Sequence, residues 1–207
     1  MRLRITFAKT SLMRFTGHLD LHRTWERTIR RAGLPLAYTQ GFSPHPRINI
    51  AAALPLGFTG QAEVVDIWLD GDPPLINVRA ALDQAVPPGI QISRLETVDE
   101  RLPSLQAALA ASEYEITLKE PQPGLEIRLA DLLSAQSLPA ERRGKSYDLR
   151  PLILSAEILP ENSSGCPRLR LVLSAQEGAT GRPEAVLEAL GADPLAAMVV
   201  RTGLVFR

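Results

Sequence analysis

Three histidines, His18, His22 and His45, and a run of arginines, Arg23, Arg27, Arg30 and Arg31, are the residues of this 207-residue chain whose types and spacing could do chemistry. On a helix, positions 23, 27 and 30 or 31 recur at intervals of three and four, so their guanidinium groups share one face. A guanidinium fork can take two phosphate oxygens at once, and several in line would follow a backbone rather than hold one small anion. The bland alternative is a solvated face on which Glu26 pairs with Arg30 and Asp20 offsets Arg23. Arg2 and Arg4 just upstream and Arg47 just downstream add to the positive field, so an anionic ligand stands at least level with that alternative.

His18 and His22, at i and i+4, place two imidazoles on one helix face, a spacing that can serve a metal. Two ligands do not complete a site. Although His45 or Asp20 could add a third, such a pair is more often surface or capping chemistry, and no metal is expected. His45 lies in the segment Tyr38-Thr39-Gln40-Gly41-Phe42-Ser43-Pro44-His45-Pro46. Its two flanking prolines favour an extended backbone, and Gly41 permits a conformation other residues resist. A histidine held this way can move a proton, meet a phosphate or stack on a base; equally, it can do no more than shape the loop. His18, His45 and Asp20 are therefore the candidate acid/base residues. The candidate anion-binding or RNA-binding residues are Arg23, Arg27, Arg30, Arg31 and Arg47, with Tyr38, Gln40 and Phe42 beside them, although single aromatics near a strand are usually core.

Elsewhere the sequence is quiet. It has no phosphate loop with Lys-Ser/Thr, no dinucleotide fingerprint and no serine elbow. Cys166 is the only cysteine, so no intramolecular disulfide and no three-cysteine cluster can form, and the chain is not itself a conventional radical S-adenosylmethionine enzyme. No cofactor is expected in it. Cys166 sits in an Asn-Ser-Ser-Gly-Cys-Pro loop with no base nearby and reads as a bystander. Arg142, Arg143 and Lys145 read as an exposed loop, and Tyr147 to Pro151 as the start of a strand without a functional role.

Charge is divided unevenly. Residues 1 to 47 hold nine basic and two acidic side chains, a net +7, which leaves 14 basic and 21 acidic, a net −7, for the rest of a chain whose formal charge is zero. Hydrophobic content of 45% is ordinary for a globular protein. The start of the chain alternates charge and apolarity instead of forming a secretory signal, and no run approaches the ~18 apolar residues of a membrane span, so a cytoplasmic protein with no membrane contact is expected.

The elements that must position these residues follow from periodicity. Leu3, Ile5 and Phe7 alternate as a strand; His18 to Ala32 reads as a helix ending at Gly33, with Leu21, Trp25, Ile29 and Ala32 as its buried stripe. Strands are expected at Arg47 to Leu54 and Ala62 to Leu69, a helix at Leu75 to Val86 and a strand at Ile90 to Leu95. The order is βαββαβ. It repeats beyond: a strand at Tyr114 to Leu118, a helix near Leu125 to Ala135, strands at Leu152 to Leu159 and Leu169 to Leu173, a helix at Pro183 to Leu190 and a strand at Met198 to Phe206. The expected fold class is α+β, two tandem ferredoxin-like units with antiparallel sheets, residues 1–96 and 113–207, joined by a linker over 97–112 in which Leu102 to Ala111 could form a short helix.

The strings Gly17-His18-Leu19-Asp20, Arg30-Arg31-Ala32-Gly33-Leu34-Pro35 and Gln40-Gly41-Phe42-Ser43-Pro44-His45-Pro46, continued by Leu54-Pro55-Leu56-Gly57 and Glu63 to Leu69, resemble the signature of the bacterial radical SAM-linked protein family. Weaker similarity extends to Tyr147 to Arg150 and Arg201 to Gly203. Members of that family are fused to, or encoded beside, radical SAM proteins. The resemblance implies a radical SAM protein as partner, which would carry the iron–sulfur cluster and S-adenosylmethionine in trans. It also marks His18, Asp20, Arg23, Arg31 and His45 as matching the family pattern. His22 stands where the family is usually apolar, which argues against the histidine metal pair.

The leading expectation is an accessory or substrate-binding subunit that holds RNA or another phosphorylated substrate for such an enzyme. Its rivals are an RNA-cleaving or RNA-modifying enzyme using His18 and His45, and a docking module whose arginines meet an acidic protein.

Overall fold

In the computed structural model, which describes residues 1–160 and 165–207, alternation of Leu3, Ile5 and Phe7 with Arg4 and Thr6 gives the first strand, β1 (Arg2–Lys9), and buries those three apolar side chains completely. Helix α1 (His18–Arg31) follows, burying Leu21, Trp25, Thr28 and Ile29 along one face. Ala32, expected in that stripe, is only partly buried. The helix ends at Gly33, whose φ of 67° is the left-handed conformation that closes a helix without a Cβ penalty. Trp25 meets Phe7 edge-on, ring centroids 4.9 Å apart at 72°. The remaining elements of this region are β2 (Ile48–Ile50), β3 (Thr59–Trp68), α2 (Leu75–Ala85), β4 (Ile90–Val98) and the short α3 (Leu105–Ala108).

The chain is a mixed α+β fold with five helices among the described residues and mostly antiparallel pairing, and it divides into two compact units, Met1–Ala108 and Leu109–Arg207. In the first unit the strands lie in the order β2-β3-β1-β4, each pair antiparallel. Period-two alternation sorts the two faces of that sheet. Leu3, Ile5, Ile50, Val65 and Ile67 join Trp25 and Ile29 of α1 and Leu82 of α2 in one core. Arg2, Arg4, Asn49, Asp66 and Trp68 alternate with them and occupy the other face. There α3 is fastened by Asn49, which accepts the Leu105 amide at 3.0 Å, and by Gln106, which donates to the Ile50 carbonyl at 2.6 Å.

The second unit comprises β5 (Leu109–Leu118), α4 (Leu125–Ser134), β6 (Pro139–Arg142), β7 (Lys145–Asp148), β8 (Ile153–Leu159), β9 (Arg168–Gln176), the two-residue β10 (Ala179–Thr180), α5 (Pro183–Ala189) and β11 (Ala197–Phe206). Its main strands lie in the order β8-β9-β5-β11, again antiparallel, with β10 added to β9. Pro183 opens α5 and Gly191, at φ 70°, follows it, each where its backbone suits it.

Five expectations need correction. β2 is three residues, not eight, because after Ala51 the chain leaves the sheet toward Pro55. The helix considered over Leu102 to Ala111 is confined to Leu105–Ala108, and β5 starts at Leu109 instead of Tyr114. β4 also runs on to Val98, so strand claims both ends of the stretch expected to be a linker. The alanines and serine at the start of β5 carry little strand propensity; pairing with β9 and β11 makes them strand. Arg142, Arg143 and Lys145 belong to a two-stranded hairpin, β6-β7, turned by Arg143 at φ 51° and Gly144 at φ 74°, the positive-φ pair that a tight hairpin turn requires. The Asn-Ser-Ser part of the loop before Cys166 lies outside the described residues; Cys166 itself is partly buried.

Candidate functional site

With Leu21, Trp25 and Ile29 committed to the core, helical geometry turns Arg23, Arg27 and Arg30 outward, and all three are exposed. Arg23 donates to the Asp20 carboxylate at 3.3 Å, with both side chains about two-thirds exposed at 67% and 66%. Arg30 lies 3.6 Å from Glu26 and donates to the Tyr38 hydroxyl at 3.1 Å. Arg27 makes no ion pair among the described residues. Exposed pairs of this kind are each worth about 0–1 kcal/mol, so phosphate oxygens can displace them. Arg31 is exposed as well, but one of its N–H groups is donated to the Ala85 carbonyl at 3.1 Å, where a cation suits the C-terminal end of α2.

Tyr38 carries this surface into the following loop. It bridges to Pro46, and inside that bridge the Thr39 amide donates to the His45 carbonyl at 2.8 Å while the His45 amide donates to the Thr39 hydroxyl at 2.9 Å. The result is a closed hairpin-like excursion with Gln40, Gly41, Phe42, Ser43 and Pro44 at its tip. Gly41, at φ 130°, lets the chain reverse there. Gln40 and His45 are exposed, and Phe42 is fully so, at 111% of its reference area.

The structure does not unite all the residues that the sequence grouped. Arg2 is 1% exposed and donates twice to Asp66, at 2.9 and 2.6 Å, and also to the carbonyls of Leu102 and Pro103. Arg4 shares the same carboxylate at 2.9 and 3.0 Å, and that hydrogen bond raises its guanidinium pKa further. The guanidiniums of Arg2 and Arg47 lie 5.0 and 4.7 Å from the centre of the Trp68 ring. Arg2, Arg4 and Arg47 therefore belong to the sheet face opposite α1. They hold that face together and add nothing to the arginine stripe of the helix. Lys9 is likewise 1% exposed and leaves the surface tally.

His18 opens α1, whereas the His45 loop is tied to Arg30, twelve residues and roughly 18 Å further along the helix axis. The two histidines are thus positioned by different elements and different anchors, and Asp20 is engaged by Arg23. Among the described residues no group of three or more His, Cys, Asp or Glu side chains could hold a metal ion.

Some features escaped the sequence. Glu63 is 1% exposed within β3, a buried carboxyl side chain that alternation with Val65 and Ile67 could have placed on the core side. Phe15 and Leu19 are about 70% exposed, at 70% and 72%, beside the start of α1, with the Arg14 guanidinium 4.6 Å from the Phe15 ring centre. Leu19 falls out of phase with the buried stripe, the signal that would have flagged it.

No described helix is long and apolar enough to cross a membrane. Residues 2–183 match the family described as "Uncharacterized protein conserved in bacteria (DUF2344)", and the chain belongs to it. No match was found among curated proteins.

Proposed function

We propose that this member of the bacterial DUF2344 family is a substrate-holding partner of a radical SAM enzyme, binding RNA or a similarly phosphorylated chain on the outer face of α1 and the loop that follows. What supports this is a set of exposed residues on α1 linked by a hydrogen bond to an exposed loop. Arg23, Arg27 and Arg30 stand at i, i+4 and i+7, and the Arg30–Tyr38 hydrogen bond joins them to the Gln40–His45 segment. Three forks spread over about 10 Å of helix suit successive phosphates better than a single small anion. The radical SAM partner follows from the resemblance of Gly17 to Asp20 and Gly41 to Pro46 to the family encoded beside such enzymes. We also read the chain as a tandem of two ferredoxin-like units, a reading supported by the strand orders β2-β3-β1-β4 and β8-β9-β5-β11. That fold hosts many functions, so the residues and not the architecture support the assignment.

Binding of the purified full chain to fluorescent RNA, measured across a salt series, tests the proposal. Affinity should fall as salt rises, and replacing Arg23, Arg27 and Arg30 with Ala should reduce the slope of log K against log salt by about 2, at roughly 0.7 per phosphate contact on a single strand. Binding that ignores salt, or a slope unchanged in the triple variant, would refute the arginine face. Affinity purification from the native cell reads the partner independently.

A further inference from the structure

We infer that Phe42 is a base-stacking platform, so that the ligand of the α1 face is single-stranded RNA with an unpaired base laid on that ring. This rests on the RNA reading above and narrows it to unpaired strands.

A phenylalanine left wholly in water forgoes roughly 1.5–3 kcal/mol of burial, yet Phe42 is exposed at 111%. It stands third in the five-residue tip Gln40–Pro44. Every residue of the tip is exposed, and a Cβ built on Gly41 would meet nothing within 4 Å. The loop beneath it is not slack. Thr39 and His45 close it with two hydrogen bonds, and Pro44 and Pro46 restrict the backbone on either side of His45. The ring is therefore presented on a hydrogen-bonded stem, and in the free protein an exposed Arg30–Tyr38 hydrogen bond places that stem beside the arginine face.

The neighbours of the ring decide what it is presented to. A protein-binding anchor sits at the centre of an apolar patch. Gln40 and Ser43 are instead polar, Gly41 has no side chain and Pro44 is the one apolar neighbour within the tip; all four are exposed. A nucleobase needs only the π face, and any of the four bases can stack. A duplex keeps its base faces occupied by one another, whereas an unpaired base can leave its strand while the flanking phosphates meet the arginines.

The test is fluorescence anisotropy with a mixed-sequence RNA of about 12 nucleotides, single-stranded and annealed to its complement, at low salt. It compares the wild type with Phe42→Ala and Phe42→Trp, each checked for folding by circular dichroism. The wild type should prefer the single strand. Phe42→Ala should lose about 5- to 150-fold in single-strand affinity, leave duplex affinity as it was, and Phe42→Trp should keep both. If the wild type binds RNA in a salt-dependent way but Phe42→Ala binds the single strand equally well, the stacking role is overturned and the arginine face stands. Absence of RNA binding by the wild type overturns both. If Phe42→Ala keeps its RNA affinity and loses a co-purifying protein, the ring is a protein anchor and the inference is wrong.

Discussion

The two faces of the N-terminal sheet use the same side chain to opposite ends. On the outer face of α1, Arg23 and Arg30 hold exposed partners loosely, and Arg27 holds none among the described residues. On the far face of the sheet, Arg2 and Arg4 converge on Asp66, which is 0% exposed, and Arg47 rests on Trp68. A buried guanidinium must be matched by a carboxylate and carbonyls, because its desolvation costs several kcal/mol. An exposed one pays almost nothing and stays available to a ligand. The lesson is that arginines counted together in a +7 segment separate into structural and binding sets only when burial and partner are known.

The comparison breaks most visibly at Asp66. Asp66→Ala leaves Arg2 buried without its carboxylate, and urea unfolding should show a loss of about 3–5 kcal/mol, with salt-dependent RNA binding unchanged wherever the variant remains folded. The same binding loss as in the triple α1 variant would mean that the two faces act as one. Arg47→Ala should cost about 0.5–2 kcal/mol through loss of its contact with Trp68, and RNA affinity should change by less than about twofold, since the residue faces away from α1. A drop comparable to that of Arg27→Ala would move Arg47 back into the binding surface.

The smallest effect lies in the second unit, where Asp148 accepts the Leu138 and Arg150 amides and its carboxyl pKa is lowered, first by the Leu138 hydrogen bond and then by that of Arg150. A depressed carboxyl pKa stabilises the fold above the unfolded value of about 3.9 and loses that contribution as pH falls through the folded value. Thermal unfolding of Asp148→Ala should therefore lie below wild type near neutral pH and converge on it in acid. An offset independent of pH would remove the ionised carboxylate from the account.

Much of the fold was legible. Leu3, Ile5 and Phe7 specified β1, and the spacing of Leu21, Trp25 and Ile29 specified both α1 and the outward direction of Arg23, Arg27 and Arg30. Pro183 and Gly191 framed α5. The start of β5 was not legible, since Leu109 to Glu113 has weak strand propensity and becomes strand only through its two neighbours. The β6-β7 hairpin was missed because its turn pairs glycine with an arginine at positive φ, a conformation few sequences announce.

In the candidate site, the helix face and the Tyr38–Pro46 loop were readable as separate pieces. The sequence by itself determined that three arginines share a helix face and that a glycine and two prolines bracket a histidine, because those are properties of spacing and of local backbone chemistry. Only the tertiary structure decided that Tyr38 ties that loop to Arg30, that Phe42 is left in water, and that Arg2, Arg4 and Arg47 face the other way. Those outcomes depend on which side of a sheet a strand presents and on which carboxylate waits there. Asp66 is 62 residues from Arg4 along the chain, and only strand pairing brings them to 2.9 Å.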